Sequence, residues 1–181
     1  MQRGQTSFPV YGQLPDFSLT NQAGSPVSLE TLRGNVVIAD IIFTRCAGPC
    51  PEMTKKLSEL QTALPASAPV KLVTLTTDPA FDTPQVLKSY AARFGADSNR
   101  WWFLTGTKPQ IGNLATNGFK LTAFEVPRSE QSNEFDLFVH STMFVLLDKQ
   151  GRLRGALESA APDWREKAVE GVEALLKEKH P

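Results

Sequence analysis

The sequence predicts an α/β protein built on a central mixed β-sheet with helices on both sides. Three observations carry that prediction. Asn35 to Phe43 is a nearly continuous apolar run, strand-like and helix-like segments alternate from there to Gly118, and Asp148-Lys149-Gln150-Gly151 between two apolar runs is a strong hairpin signal. With 181 residues the chain suits one domain with a sizeable core and is too short for two comfortable ones. Residues 1–13 read as a flexible arm and residues 14–181 as a single domain.

Taken in order, residues 1 to 16 are rich in Gly, Gln and Pro, without a sustained period. Phe17 to Thr20 and Val27 to Leu29 alternate apolar and polar residues around turn formers at Asn21-Gln22-Ala23-Gly24, as an N-terminal β-hairpin would. Glu30 to Arg33 makes one helical turn closed by Gly34. Val36 to Phe43 is mostly β-branched, as expected of a central strand covered on both faces. Met53, Leu57, Leu60 and Leu64 recur at helical spacing, and Pro51 suits the first turn of their helix.

Val70 to Thr76 alternates as a strand, and Asp82 or Thr83 with Pro84 opens a helix burying Val86, Leu87, Tyr90, Ala91 and Phe94. Trp102 to Leu104 is a short strand, with one of Trp101 and Trp102 in the core. A weaker helix runs from Thr107 through Ile111, Leu114 and Ala115 to Gly118. Such alternation implies parallel βαβ units. The pattern then changes. Phe119 to Glu125 and Asp136 to Val139 are expected to be extended, with a polar inserted loop over Pro127 to Glu134. A hairpin of Ser141 to Leu147 and Leu153 to Leu157 follows, and Pro162 to Lys179 is an amphipathic helix with Trp164, Ala168, Val172, Leu175 and Leu176 inward. Together these elements describe a thioredoxin-like sheet.

Bulk composition excludes some functions. Lys plus Arg number 19, as do Asp plus Glu, and no long basic run occurs, so nucleic acid is not an expected partner. No apolar stretch is long enough to span a bilayer, and no secretory signal opens the chain. Met1-Gln2-Arg3-Gly4 before Thr6-Ser7-Phe8-Pro9 looks like a tail cut from something longer, which leaves room for an export signal or anchor.

The chemistry is expected at Thr44-Arg45-Cys46-Ala47-Gly48-Pro49-Cys50-Pro51, which contains the only 2 cysteines. Residues four apart on a helix share a face, with Cα atoms roughly 6 Å apart, within disulfide reach. The helix N-terminus favours thiolate and is expected to lower the pKa of the nearer cysteine, with Arg45 adding to the effect. Two small buried hydrophobes are the bland alternative. The spacing alone does not separate redox work from metal work, and a third residue is needed. His140, entering the strand Thr142 to Leu147, is the candidate. Two thiolates suit Cu(I), and an added imidazole suits Cu(II) or Zn(II). Nothing obvious supplies the fourth ligand of a structural zinc site, so copper is preferred. Asp78 reads as a turn or cap residue before Pro79, and His180 as a solvated tail residue.

These residues resemble the SCO (SenC/PrrC) family, thioredoxin-like copper proteins of cytochrome c oxidase assembly. The resemblance covers most of residues 12 to 178. It rests on Phe43 to Pro51, on Thr77-Asp78-Pro79-Ala80-Phe81-Asp82-Thr83-Pro84 with Leu87-Lys88-Ser89-Tyr90, on Trp102-Phe103-Leu104-Thr105-Gly106, and on His140-Ser141-Thr142. It implies Cu(I) held by Cys46 and Cys50, Cu(II) held by these with His140, and copper delivery to, or thiol reduction in, the binuclear copper site of oxidase subunit II. It further implies subunit II or another copper protein as partner, other copper chaperones, and a monomer. The implied location is the periplasmic side of the inner membrane or an equivalent compartment, with an N-terminal anchor outside this sequence. Family members commonly have proline after the first cysteine and an acid two positions before the second. Here these are Ala47 and Gly48, which bears on affinity and potential rather than ligand identity.

Two other functions compete. A metal-free thiol-disulfide oxidoreductase would use Cys46 and Cys50 as a catalytic dithiol, but generic thioredoxins place a proline where Ser141 stands. A peroxidase of related fold would leave the histidine motif unexplained.

Overall fold

The apolar run after Asn35 is a strand whose 7 residues, Val36–Ile42, are all buried. Their β-branched side chains favour extended backbone, and burial on both faces demands cover on both. The computed structural model describes residues 8–121, 123–125 and 138–178, with the backbone alone for 123–125 and 138–140.

In chain order, β1 (Gly12–Gln13), β2 (Ser18–Asn21), β3 (Pro26–Ser28) and α1 (Leu29–Leu32) precede the buried strand, β4 (Val36–Ile42). Then come α2 (Cys50–Ala63), β5 (Val70–Thr76), α3 (Pro84–Arg93), β6 (Trp101–Thr105) and α4 (Lys108–Asn113), which runs into a π-helical turn at Leu114–Gly118. The last elements are β7 (Ala123–Glu125), β8 (Phe138–His140), β9 (Met143–Leu147), β10 (Arg152–Glu158) and α5 (Trp164–Lys177).

The main sheet has the order β1-β10-β9-β4-β5-β6-β2-β3. β4, β5 and β6 are parallel, as the βαβ reading requires, and β9 joins β4 antiparallel. Period-two alternation sorts the strand's side chains by face. Val36, Ile38 and Ile42 pack with Met53, Leu57, Leu87, Tyr90 and Val172 under α2, α3 and α5. Val37, Ala39 and Ile41 pack with Leu14, Leu29, Ile111, Leu114 and Phe119 on the other side. Helices therefore cover both faces of a mixed sheet, and the fold is thioredoxin-like. No helix among the described residues is long and apolar enough to cross a membrane.

Local chemistry explains the boundaries. Asn21 closes the first hairpin by accepting from the backbone N–H of Ala23 and Ser25 at 2.9 and 3.0 Å. Of the two candidate caps for α3, Thr83 serves, its Oγ1 accepting from Val86 N at 3.3 Å. Asp82 is used elsewhere. The buried face of α3 is Leu87, Tyr90 and Ala91, with Val86 and Phe94 half-buried. Of Trp101 and Trp102, Trp101 is the one in the core.

Two features were not read from the sequence. Gly12–Gln13 pairs with β10, and the Arg154 guanidinium donates to the Phe8 carbonyl at 2.6 Å, so residues 8–13 lie along that edge. Backbone pairing of this kind leaves no composition signal. The stretch from Phe119 is extended only over Ala123–Glu125, because Phe119 stays helical after the π turn. That turn brings Leu114, Ala115 and Phe119 into the core together. The expected loop Pro127 to Glu134 lies outside the described residues.

Behind the β9–β10 turn, Arg154 joins Asp148 at 2.8 Å and Glu178 at 2.7 Å in a buried ion network. Burial pushes the Asp148 carboxyl up. Hydrogen bonds from the Arg152 backbone, the Arg154 and Arg152 guanidiniums and the Gln150 backbone outweigh it and hold the carboxyl below the usual range.

Two outcomes are expected. Leu57→Ala, at a fully buried site in α2, should cost about 2–5 kcal/mol in urea unfolding. Because the folded-state pKa of Asp148 is depressed, its contribution is present above about pH 4 and is lost as pH falls through the folded value. Urea midpoints measured down to about pH 2 should therefore fall less steeply for Asp148→Asn than for the parent.

Candidate metal centre

The turn carrying the thiols begins where β4 leaves the sheet. Cys46 lies in the turn and is half-buried, whereas Cys50 is the first residue of α2 and is fully buried. The sequence placed both on one helical face, but the helix starts only at Cys50, with Pro49 as its N-cap. Curling of the turn brings the sulfurs together instead. They are in hydrogen-bonding contact, and no disulfide joins them. The Gly48 N–H donates to Cys46 Sγ at 3.3 Å.

The expectation that the helix N-terminus lowers the thiol pKa is overturned at Cys50. Burial pushes this thiol up, and the hydrogen bond and charge of Cys46 add to the effect, followed by a smaller contribution from Asp40. Desolvation of a thiolate outweighs the partial charge of one helix end. Arg45 also has partners that the sequence did not indicate. Its Nη2 meets Asp78 Oδ2 at 2.5 Å, and its guanidinium lies 4.1 Å from the centroid of the Phe81 ring. Asp78 opens a turn through its backbone rather than through the Asx-type side-chain bond expected, its carbonyl accepting from the Phe81 and Asp82 N–H groups at 3.1 and 2.8 Å. Its carboxylate has the additional task of holding Arg45.

Two acids near the site were not singled out from sequence. Asp82, fully buried, accepts from Thr44 N at 3.1 Å, from Thr44 Oγ1, and from Thr76 Oγ1 at 2.5 Å. Burial raises its carboxyl, and the hydrogen bonds from Thr44 and Thr76 oppose the rise. The available signal was the pair of threonines that end adjacent parallel strands, next to a loop containing an acid. Asp40 sits in the middle of β4 on the α2 side, where it accepts from Thr74 Oγ1 at 2.7 Å. Trp101 Nε1 in turn donates to Thr74 Oγ1 at 2.9 Å. A lone acid inside an apolar strand was the signal there.

His140 ends β8, and its backbone pairs with Ala123. Its side chain lies outside the described atoms, and His180 lies outside the described residues. Among the described residues no cluster of three His, Cys, Asp or Glu side chains occurs. Chain direction nevertheless relates His140 to the thiols. Ala39 pairs with Val145 in the antiparallel β4–β9 ladder, so the exit of β4 toward Cys46 and the entry to β9 from His140 are at the same end of the sheet. The donor set of two soft sulfurs in contact suits a soft cation.

The SCO1/SenC family model matches residues 10–177. The SCO1 protein homolog of Bacillus subtilis (strain 168) is 34% identical over 151 residues, 82% of this chain and 75% of the relative. Among solved structures, a SCO1/SenC family lipoprotein from Bacillus anthracis superposes with a TM-score of 0.81 and 28% identity, over 93% of this chain and 98% of its own. BsSco, described as having a disulfide switch and as a member of the Sco family of cytochrome c oxidase assembly proteins, gives 0.79 and 29%, over 96% and 100%. Yeast Sco1 with copper bound gives 0.72 and 26%, over 93% and 96%.

Unequal burial makes the thiols unequal in reactivity. With the reduced, metal-free protein at about pH 8, iodoacetamide should modify Cys46 at least about tenfold faster than Cys50. Mass spectrometry of timed samples, with Cys46→Ser and Cys50→Ser as single-thiol controls, checks this. Equal rates would contradict the burial described.

Proposed function

This chain belongs to the SCO1/SenC family, and from that premise we propose that it is a copper-binding assembly factor for the binuclear copper centre of cytochrome c oxidase. Copper is its cargo. Cys46 and Cys50 hold Cu(I), and His140 joins them for Cu(II). The observation that carries the reading is the contact between two sulfurs at the sheet end from which His140 leads into β9. Thiolates favour Cu(I), and an imidazole extends the set to Cu(II). Binding replaces the thiol protons, because the ligating form is the thiolate. The half-buried position of Cys46 gives a recipient's ligands a side from which to approach, while Cys50 anchors the site from within.

The receiving partner is a copper protein, for which oxidase subunit II is the specific candidate, and the chain works as a monomer alongside other copper chaperones. The lipoprotein relative from Bacillus anthracis supports an extracytoplasmic location. Metal-free reduction of partner cysteines is the second reading. The sulfur contact and the disulfide switch described for BsSco favour it as chemistry of the same pair.

Copper titration tests the proposal. The reduced protein should take up stoichiometric Cu(I), and Cys46→Ser or Cys50→Ser should abolish it. His140→Ala should retain Cu(I) but weaken Cu(II) binding at least about tenfold and remove its thiolate charge-transfer absorption. Failure of the reduced parent to take up Cu(I) would sink the copper reading. Disulfide reduction at high rate with copper chelated would then favour the oxidoreductase.

A further inference from the structure

A cavity of about 330 Å³ opens beside the thiol turn, with Arg45, Phe81, Val86, Tyr90 and Arg93 among its lining residues and no carboxylate. None of these belongs to the copper-holding set. Arg45 is covalently next to Cys46. Tyr90 exchanges a hydrogen bond with Thr54 at 3.1 Å, and Thr54 Oγ1 donates to the Cys50 carbonyl at 2.9 Å. The cavity thus borders the Cys46 side of the turn directly and connects to Cys50 through two hydrogen bonds.

Its chemistry is cationic and aromatic. Arg45 spends Nη2 on Asp78, and its buried Nε has no hydrogen-bond partner. The Arg93 guanidinium lies over the rings of Tyr90 and Phe94, 5.5 and 5.9 Å from their centroids, and takes part in no ion pair among the described residues. Phe81 is 42% exposed, an unusual state for a large aromatic side chain, and it adds an apolar surface to the lining beside Arg45. One guanidinium over an exposed ring and a second in the same cavity lining complement a carboxylate flanked by an apolar side chain. A small free anion would leave the ring uncovered.

We propose that this cavity docks an acidic segment of the protein that receives copper, holding that partner against the Cys46 side of the turn. The identity of what is transferred rests on the copper reading, whereas the docking chemistry does not. Formal net charge of the chain is +0, so indiscriminate attraction of acidic chains is not expected.

The test uses two synthetic pentapeptides, acetyl-Asp-Leu-Glu-Phe-Asp-amide and its neutral counterpart with Asn and Gln, titrated into the reduced protein and followed by NMR. The acidic peptide should shift the arginine Nε signals of Arg45 and Arg93 and the ring signals of Phe81. The neutral peptide should bind at least about fivefold more weakly, and Arg93→Gln and Phe81→Ala should each weaken the acidic peptide about fivefold, with further weakening in salt. Copper uptake should be unchanged in both variants. Equal binding of the two peptides, unchanged affinity in both variants, or inorganic phosphate shifting the same signals with equal affinity would overturn the docking surface. Normal copper uptake without peptide binding defeats docking alone, and peptide binding without copper uptake defeats only the copper reading.

Discussion

One buried carboxylate ties the site to the sheet. Asp82 gathers the N–H and hydroxyl of Thr44, at the exit of β4, and the hydroxyl of Thr76, at the exit of the neighbouring parallel strand. Parallel strands leave the sheet side by side, and their following segments would otherwise splay apart into separate helices. Asp82 closes that gap, so the turn carrying Cys46 and the loop carrying Asp78 and Phe81 form one surface. Desolvation makes the carboxylate costly, as its raised pKa shows, and the three hydrogen bonds offset part of that cost.

Beneath this surface the chain is rigid. β4 is buried throughout, and its two faces feed separate apolar clusters, so the start of the thiol turn is held from both sides. Rigidity there positions two chemically different sulfurs. Cys50 opens α2 with its side chain in the core, where burial disfavours its thiolate, and Cys46 sits half-buried in the turn. The Asp40–Thr74–Trp101 chain runs through the core on the same side of the sheet and links its three central parallel strands by polar contacts.

Arg45 shows how tertiary contacts redirect a residue whose sequence position suggests another role. Adjacent to Cys46, it was expected to favour the thiolate. Asp78 and Phe81, contributed by the loop after β5, offer it an ion pair and an aromatic face together. That combination holds the guanidinium in the wall of the neighbouring cavity.

The sequence by itself determined the main elements and the thiol pair. Its hydrophobic periods located β4, β5, α2 and α5, its turn residues located both hairpins, and the spacing of Cys46 and Cys50 beside Pro and Gly identified where chemistry would occur. These are local properties, set by backbone sterics and by which side chains must leave water. Tertiary structure alone decided that Gly12–Gln13 would pair with β10, that Phe119 would follow a π turn into the core, and that Cys50 would be the more deeply buried thiol. It also decided that Asp82 would clamp the turn rather than cap α3. Each of these depends on what a distant segment brings: a strand edge, a core pocket, a low-dielectric cover or a second hydroxyl. Periodicity reports the burial tendency of a segment, but the partners that set a charge's energy arrive only when the chain has folded.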